Sequence, residues 1–300
     1  MPQISGNFAQ LVDLDPVLTD IFYQHYTQNL GNGGVMSLFN MIQSSKAKET
    51  DLRVGGFRDP VPFTGTIEYA DAERGYEVEY SHTEYVLGFQ VERKLADDMQ
   101  YGNIFGRAEE LGTAFARKRR KDAASVFNNA FSTSFTGYDS SPLCETTHNR
   151  SRTDSTSVSN ELSTALNSDN LESAITTMQD FGDDLGEEIT IMPDTLVVPR
   201  ALRKTAFEIT QSMQVPEDAN NAINVHEGMN VIVDPYLTDT NAWFVVDSAM
   251  ARRYLKWYNR IMTEFGATED FDTYIRKYRG YMRYAYGWSD FRWVIGSNPS

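Results

Sequence analysis

Cys144 and His148 are the residues of this 300-residue chain whose types and spacing come nearest to catalytic chemistry. A thiol four residues from an imidazole could act as a nucleophile with its general base. The pair lies in SPLCETTH (141–148), within a stretch rich in Ser, Thr, Asn and Gly that is typical of a solvated loop. Such a loop offers little to bury or orient a reactive pair, so we interpret both residues as non-catalytic.

Two other segments imitate catalytic motifs without their context. Asp180-Phe181-Gly182 spells the metal-binding tripeptide of protein kinases, but no glycine-rich phosphate loop, strand lysine or HRD loop precedes it. The GNGG segment at 31–34 lacks the Gly-Lys-Ser/Thr ending of a phosphate-binding loop. We predict a helix end at the first segment and a flexible turn at the second, with no bound cofactor.

The titratable residues do not fall at metal-ligand spacing. The four histidines are scattered along the chain, and one cysteine can build neither a structural zinc site nor an intrachain disulfide. Acidic clusters at 183–188 and 269–272 could attract a divalent cation, although a solvated surface is the commoner explanation. We therefore expect no bound metal. Because no acid, base and nucleophile can be paired, we also expect no enzymatic activity.

Charge restricts the partners of the chain. The formal net charge of −15 repels nucleic acid and anionic membranes at long range. The basic run RKRRK at 117–121 is the sharpest exception. It fits either a DNA-facing patch or, as we favour, the solvated or partner-facing side of a helix whose buried side holds Phe115, Ala116 and Ala123. The aromatic and basic segment at 276–293 could likewise stack on single strands, but its alternation favours a half-buried strand.

The longest helical pattern covers residues 95–131, where apolar residues recur at three- and four-residue spacing. Gly102, Gly106 and Gly112 each weaken this helix by up to about 1 kcal/mol relative to alanine. At about 1.5 Å per residue the helix would span roughly 50 Å. Tertiary contacts must therefore hold it.

Residues 53–91 have the periodicity of a long two-stranded hairpin. Tyr76, Val78 and Tyr80 alternate with glutamates, and ADAERG at 70–75 offers a turn. An isolated hairpin is marginal in water, which predicts docking on another subunit. Upstream, Leu14, Leu18, Ile21 and Phe22 share one face of a short predicted helix.

The second half of the chain predicts a small α/β layer. A helix with a capping box at Asp169 and Glu172 comes first. EITIM (188–192) and TLVVP (195–199) are predicted strands, and Pro199 is predicted to open a second helix. Further strands are expected at 230–234, at 242–247 and throughout the tail from residue 252.

Several long segments, taken in order, resemble the major capsid proteins of tailed bacteriophages, especially the Mu-like head-subunit branch. The segments are VLGFQVERKLADDMQYGNIFGRAEELGTAFAR (86–117), DAASVFNNAF (122–131), SPLCETTH (141–148), VVP (197–199), DPYLTDTNAWF (234–244) and GWSDFR (287–292). The resemblance covers nearly the whole chain. It implies the α+β capsid shell fold that tailed phages share with herpesvirus floors and encapsulins.

Carried onto this sequence, the resemblance implies five parts. They are an N-terminal arm (1–52), an extended hairpin loop (53–91), a peripheral domain with a long spine helix and a sheet (92–160), an axial α/β domain (161–255) and return strands of the peripheral domain (256–300). We also predict which residues contact neighbouring subunits: Arg74 and Gly75 at the hairpin tip, and Arg117, Arg119 and Arg120 on the helix.

The resemblance further implies a structural protein that self-assembles through pentamers and hexamers into an icosahedral head around double-stranded DNA. Its expected partners are its own copies, a separate scaffolding protein, portal and decoration proteins, and packaged DNA bound without sequence specificity. The start of the chain lacks the pattern of a secretory signal, and no apolar run is long enough for a membrane helix. We expect assembly in the bacterial host cytoplasm and a final location in the virion.

Two departures from the family pattern and two alternative functions remain. Some shells of this fold cross-link through a lysine on the extended loop, but residues 49–93 contain no lysine, so we predict a non-covalent shell. A long helical leader is also missing, from which we expect no fused scaffolding segment.

The first alternative is an encapsulin-like nanocompartment that encloses protein cargo. The second is a nucleic-acid-binding protein that uses 117–121 and the aromatic tail.

Overall fold

A computed structural model of the protein describes residues 14–213 and 223–299, apart from residues 32, 64, 66, 68, 70–73, 93, 96, 97, 99, 100, 271, 273 and 274. Its α-helices are α1 (Asp15–Leu30), α2 (Tyr101–Asn128), α3 (Ser168–Gln179), α4 (Arg203–Gln211) and α5 (Ser248–Tyr254), with 3-10 turns at Val35–Leu38 and Arg200–Leu202. Its strands are β1 (Asn40–Gln43), β2 (Lys48–Val54), β3 (Arg74–Ser81), β4 (Thr83–Glu92), β5 (His148–Asn149), β6 (Ser157–Val158), β7 (Glu161–Leu162), β8 (Thr195–Pro199), β9 (Asn230–Asp234), β10 (Trp243–Val246), β11 (Leu255–Asp270), β12 (Ile275–Trp288) and β13 (Val294–Ser297).

A four-stranded sheet in the order β1-β11-β12-β4 forms the first layer. β1 runs parallel to β11, and the other pairs are antiparallel. Alternate side chains of β12, including Tyr278, Met282 and Tyr284, are buried. The hydroxyl of Tyr284 donates a 2.6 Å hydrogen bond to the Asp122 carboxylate on α2. The aromatic tail is therefore sheet core, as its alternation predicts, and its buried rings are not a stacking platform for single strands.

The long helix α2 packs against this sheet and against α1. Phe115 of α2 lies at edge-on contact with Phe22 of α1, and the Phe22 ring stacks on Phe265 of β11. Gly112 allows the two helices to approach closely, because a Cβ atom at this position would collide with the Phe22 carbonyl oxygen. The helix predicted over 95–131 is thus confirmed between Tyr101 and Asn128, and residues 129–131 form a turn instead.

The second layer is a five-stranded sheet in the order β7-β13-β10-β8-β9, packed against α3 and α4. β8 and β9 are parallel, while β10 is antiparallel to both of its neighbours. The buried strands TLVVP and WFVV read as continuous apolar runs, which is typical of strands covered on both faces. The α/β layer predicted from the sequence is present.

One apolar cluster joins the two layers. The Phe127 ring, near the end of α2, makes edge-on contacts with Phe244 of β10 and with Trp293. β13 follows Trp293 and enters the five-stranded sheet beside β10. The expectation that all strands after residue 256 return to the first sheet is therefore wrong for 294–297, because their hydrogen-bonding partner is β10.

The hairpin predicted over 53–91 is divided between two sheets. β2 pairs with β3 in a separate two-stranded sheet, whereas β4 pairs with β12 in the four-stranded one. Tyr85 and Phe89 of β4 stack on Tyr284 and Tyr278, and this aromatic contact favours joining the larger sheet. Residues 70–73 of the predicted turn, like residues 1–13 of the arm, lie outside the described residues.

Several local predictions need correction. Residues 188–192 form no strand; Glu188 makes only an isolated bridge to Gly182. Asn167 caps α3, since its side chain accepts the Asn170 N–H at 2.7 Å, and the predicted Asp169–Glu172 box is not the cap. Pro199 ends β8 and precedes a 3-10 turn rather than opening an α-helix. Asp180 does end α3, as predicted. None of the described helices is long and apolar enough to cross a membrane.

Candidate assembly surfaces

The five basic residues at 117–121 point to different sides of α2, so some are exposed and others are partly or fully buried. Arg117 and Lys121 are exposed, whereas Lys118 forms a 2.7 Å ion pair with Asp122. The guanidinium of Arg120 lies over the Tyr236 ring, 5.2 Å from its centroid. Cations on this helix therefore differ in their availability to a partner.

Arg119 is a correction to the predicted contact set. It is only 3% exposed, and it donates hydrogen bonds to the Tyr26 hydroxyl at 3.0 Å and to Asn259 Oδ1 at 2.9 Å. Its guanidinium also lies over the rings of Trp257 and Tyr284. A buried cation whose two terminal nitrogens donate hydrogen bonds within the subunit is part of the core, so Arg119 does not lie at the subunit surface.

Arg74 and Gly75 lie in a strand and not in a turn. Arg74 opens β3 opposite Val54, and its guanidinium forms a 2.7 Å ion pair with Glu77. A Cβ atom on Gly75 would lie 2.8 Å from the Arg53 carbonyl oxygen, so this glycine permits close strand pairing. The predicted position at a hairpin tip is wrong, although Arg74 is exposed.

The described residues between β2 and β3 (55–63, 65, 67 and 69), here called the connecting segment, carry a row of exposed apolar side chains. Phe57, Val61, Phe63, Ile67 and Tyr69 are between 57% and 90% exposed. They occupy odd-numbered positions, and Asp59 and Gly65 are the non-apolar residues at odd numbers between them. Exposed apolar rows of this kind mark interaction surfaces.

A closed ring of four charges anchors the base of the connecting segment. Arg53 of β2 pairs with Asp184 at 2.8 Å and with Asp290 at 2.9 Å, and Arg292 pairs with the same two carboxylates at 3.2 Å each. Burial raises the pKa of the Asp184 carboxyl, although Arg53 and Arg292 oppose this shift. This ionic ring joins β2, the 183–188 loop and the GWSDFR segment, and it borders a cavity of about 500 Å³.

A second polar contact marks the place where the chain changes sheets. His82 is the single residue between β3 and β4, and its Nε2 lies 3.2 Å from the Ser44 hydroxyl. That hydroxyl donates a 2.7 Å hydrogen bond to Glu49. Burial lowers the pKa of His82, and Arg283 lowers it further. Ser44 lies just before β2 and His82 just after β3, so the contact joins the two ends of the chain that enter and leave the β2–β3 sheet. We call it the hinge contact.

β4 forms one edge of the four-stranded sheet and carries exposed Val86 and Leu87. A groove of about 830 Å³ lies between β4 and α2, lined by residues that include Leu87, Phe89, Leu111 and Arg117. Exposed strand edges are frequent places for another chain to dock. The groove is therefore a candidate assembly surface.

The expectation that a solvated loop offers little to bury or orient Cys144 and His148 is wrong, because both residues are buried. Cys144 is buried, and burial raises the pKa of its thiol well above the ordinary value. His148 is also buried, stacks on Phe291 at 4.1 Å, and places Nδ1 2.7 Å from the Asp139 carboxylate. A neutral thiol without solvent access is a poor nucleophile. Among the described residues, no three His, Cys, Asp or Glu side chains come together in a way that could hold a metal ion.

Sequence reasoning missed the ionic ring and the hinge contact. Their members are far apart along the chain, and acidic and basic residues of this kind usually lie on solvated surfaces. One signal was available for the ring: Asp290 and Arg292 lie within the apolar and aromatic segment GWSDFRW, where charges are not expected unless they are paired.

Several solved structures are similar to this chain in fold. A capsid structure of cyanophage P-SCSP1u is 11% identical with a TM-score of 0.59, covering 89% of this chain and 88% of that one. A structure from Microbacterium phage Oxtober96 is 11% identical with a TM-score of 0.56, covering 89% and 91%. A virus-like particle from Pyrococcus furiosus is 9% identical with a TM-score of 0.55, covering 93% and 98%.

The sequence itself identifies the family. No curated protein sequence matches the chain. The model of a family described as phage capsid protein, however, matches residues 75–296, from the start of β3 through most of β13. This match covers α2, three of the four strands of the first sheet, nearly all of the five-stranded sheet and the ionic ring residues after Arg53. The chain therefore belongs to the phage capsid protein family.

Proposed function

We propose that this protein is a major head subunit that assembles through rings of five and six copies into a closed icosahedral shell around double-stranded DNA. The observation that carries the proposal is the family match over residues 75–296. The exposed apolar row of the connecting segment supports it, because contact with a neighbouring copy would remove that row from water. The protein would act by assembly alone, without enzymatic activity.

Within the family, we place the chain in the Mu-like head-subunit branch, on the strength of the ordered segments from 86–117 to 287–292. A separate scaffolding protein, a portal and decoration proteins would be its further partners. Assembly would take place in the bacterial host cytoplasm. The net charge of −15 would repel packaged DNA and so prevent most of the inner wall of the shell from binding it.

The contacts between copies would involve the connecting segment, the β4–α2 groove and exposed cations. Arg74, Gly75 and Arg117 stay in the proposed contact set, together with the half-buried Arg120, whose guanidinium lies over the Tyr236 ring. Arg119 leaves the set because it is buried within the subunit. Many modest apolar contacts repeated around each ring would add to a stable shell. The five-part division at 1–52, 53–91, 92–160, 161–255 and 256–300 likewise remains a proposal, with β13 placed in the axial layer.

Negative-stain electron microscopy of the purified, undenatured protein is the direct test. We expect closed shells tens of nanometres across, or rings of five and six. A monodisperse monomer under conditions that include an added scaffolding protein would contradict the proposal.

A double substitution in the connecting segment sharpens this test. Val61→Ser with Phe63→Ser removes apolar surface that is already exposed in the subunit, so the melting temperature of the subunit should change by no more than about 2 °C. Assembly, measured by light scattering and microscopy, should fall at least tenfold. Shell formation at the unaltered rate would exclude this segment from the contact.

An encapsulin-like compartment enclosing protein cargo is the second candidate, favoured by the fold likeness to the particle from Pyrococcus furiosus. Particle diameter and contents separate the two functions, because a phage head holds nucleic acid and a compartment holds protein. The third candidate, a nucleic-acid-binding protein, predicts a monomer that binds DNA and never forms rings or shells.

A further inference from the structure

Two surface grooves meet beside the end of β8. One has a volume of about 520 Å³ and is bordered by Lys121 of α2 and by the 235–240 turn; the other has a volume of about 720 Å³ and is bordered by Arg203 and Lys204 of α4. Arg200 and Ala201 border both. We call the surface formed by Lys121, Arg200, Arg203 and Lys204 the basic groove.

The cations of the basic groove are available to a ligand. All four side chains belong to exposed residues. Within the described part of the chain, Lys121 and Arg200 form no ion pair, while Arg203 lies over the Phe207 ring and Lys204 is 3.5 Å from Glu208. By contrast, Lys118, Arg119 and Arg120, the neighbours of Lys121 on α2, all fold back onto the subunit.

The acidic side chains nearby do not neutralise this surface. Asp239 on the rim accepts the backbone N–H groups of Asn241 at 2.8 Å and Ala242 at 3.2 Å, which fixes its carboxylate within its own turn. Asp234 is buried and accepts the N–H groups of Val35 and Tyr236. The cations therefore outnumber the free carboxylates at this place in an otherwise acidic chain.

Hydrogen bonds and strand pairing hold the walls of the groove in place. Asn128 of α2 donates a 3.0 Å hydrogen bond to the Tyr236 carbonyl and accepts the Thr238 N–H at 2.9 Å, which fixes the turn against the helix. Arg200 follows Pro199, whose strand pairs in register with Asp234 of β9. A pre-formed surface loses less entropy when it binds a ligand.

We propose that the basic groove contacts the phosphate backbone of double-stranded DNA without reading its sequence. Arginine and lysine side chains are the usual partners of phosphate oxygens, and spaced cations follow a charged backbone. This inference rests on the proposed function, since a shell that encloses DNA presents the duplex to each subunit at high local concentration. The surrounding negative charge confines the contact to this surface and makes it sensitive to salt.

The test compares two double variants with equal change in net charge. Lys121→Gln with Arg200→Gln removes one cation from each wall of the basic groove; Arg252→Gln with Arg279→Gln removes two exposed cations elsewhere. Binding of a fluorescent 20-base-pair duplex, a probe length of about two helical turns, is measured by anisotropy across a range of salt concentrations. We expect the groove variant to bind at least tenfold more weakly and its log–log salt slope to become shallower by about 2. The control variant should match the unaltered protein in both duplex affinity and salt slope.

Three results would overturn the inference. The first is that the unaltered subunit shows no salt-dependent binding of the duplex, and the second is that both double variants lose the same amount of duplex affinity. The third is that an oligoglutamate peptide binds as tightly as the duplex, which would indicate an acidic protein segment as the ligand. Microscopy of the same samples keeps the two proposals apart. Shells formed by a subunit that does not bind DNA would remove this inference and leave the proposed function intact. Failure to form shells with scaffold present would remove the proposed function.

Discussion

At the scale of single residues, Arg119 shows that charge alone does not define a surface. It lies four residues after Phe115 and four before Ala123, on the side of α2 that packs against the sheet and α1. Helical spacing could therefore have separated it from Arg117 and Lys121. Its guanidinium fits the core because Tyr26, Asn259 and two aromatic rings provide partners there.

Replacing Arg119 should damage the fold, whereas replacing Arg117 should not. Arg119→Met leaves the Asn259 Oδ1 atom without the guanidinium donor and should reduce the free energy of unfolding by about 2–4 kcal/mol. Arg117→Met, the matched control on the exposed side, should change it by less than about 0.5 kcal/mol. Urea unfolding of the unassembled subunit measures both. Equal effects would show that Arg119 is not a core residue.

His82 makes the hinge contact sensitive to acid. Burial and the positive charges of Arg283 and Arg260 lower its pKa, against the opposing effect of Glu49. A lowered folded-state pKa means that the stability contribution of His82 is complete above its unfolded pKa of about 6.5 and is lost as the pH falls below that value. His82→Gln should therefore reduce the loss of stability between pH 7.5 and pH 5.5.

The control for this prediction keeps the imidazole and removes its partner. Ser44→Ala deletes the hydroxyl that lies 3.2 Å from His82 Nε2, so the acid-dependent loss should persist in that variant. The measurement is the urea midpoint of the unassembled subunit at each pH. An unchanged pH dependence in the glutamine variant would assign the loss to other groups.

At the scale of elements, the structure distinguishes three glycines of α2 that look equivalent in the sequence. A Cβ atom at Gly102 or Gly106 would meet open space, whereas at Gly112 it would collide with the backbone of α1. Gly106→Ala should raise the free energy of unfolding by about 0.5–1 kcal/mol through helix propensity. Gly112→Ala should lower it, since α1 and α2 must separate. Thermal unfolding of the two variants measures both effects. If both substitutions stabilised the subunit, the close contact between α1 and α2 at Gly112 would be contradicted.

How far elements can be predicted depends on whether their determinants are local. The 3.6-residue period of α2 is contained in its own sequence, and so is the alternation of β12. The division of β3 and β4 between two sheets at His82 depends on Tyr278 and Tyr284, which lie about two hundred residues later in the chain. The residues from 53 to 91 carry no local signal for that exchange, so a single hairpin was the natural prediction.

At the scale of the whole molecule, the family pattern predicts the order of layers, and the long-range contacts add what the pattern lacks. The ionic ring closes only when residues 53, 184, 290 and 292 meet, and no spacing rule connects them. The basic groove likewise combines α2 with the end of β8. Such sites depend on tertiary packing, which a single sequence does not encode in any short window.

The same scale gives the prediction that a shell of this protein is held without covalent cross-links. The connecting segment contains no lysine, and Lys48, the first residue of β2, pairs with Glu79 at 2.6 Å. A shell boiled in denaturant should therefore give one band near 34 kDa, while a glutaraldehyde-treated portion shows that the gel resolves multiples. A ladder in the untreated shell would contradict this. A single band would mean that the exposed apolar row and the other non-covalent contacts suffice to hold the shell.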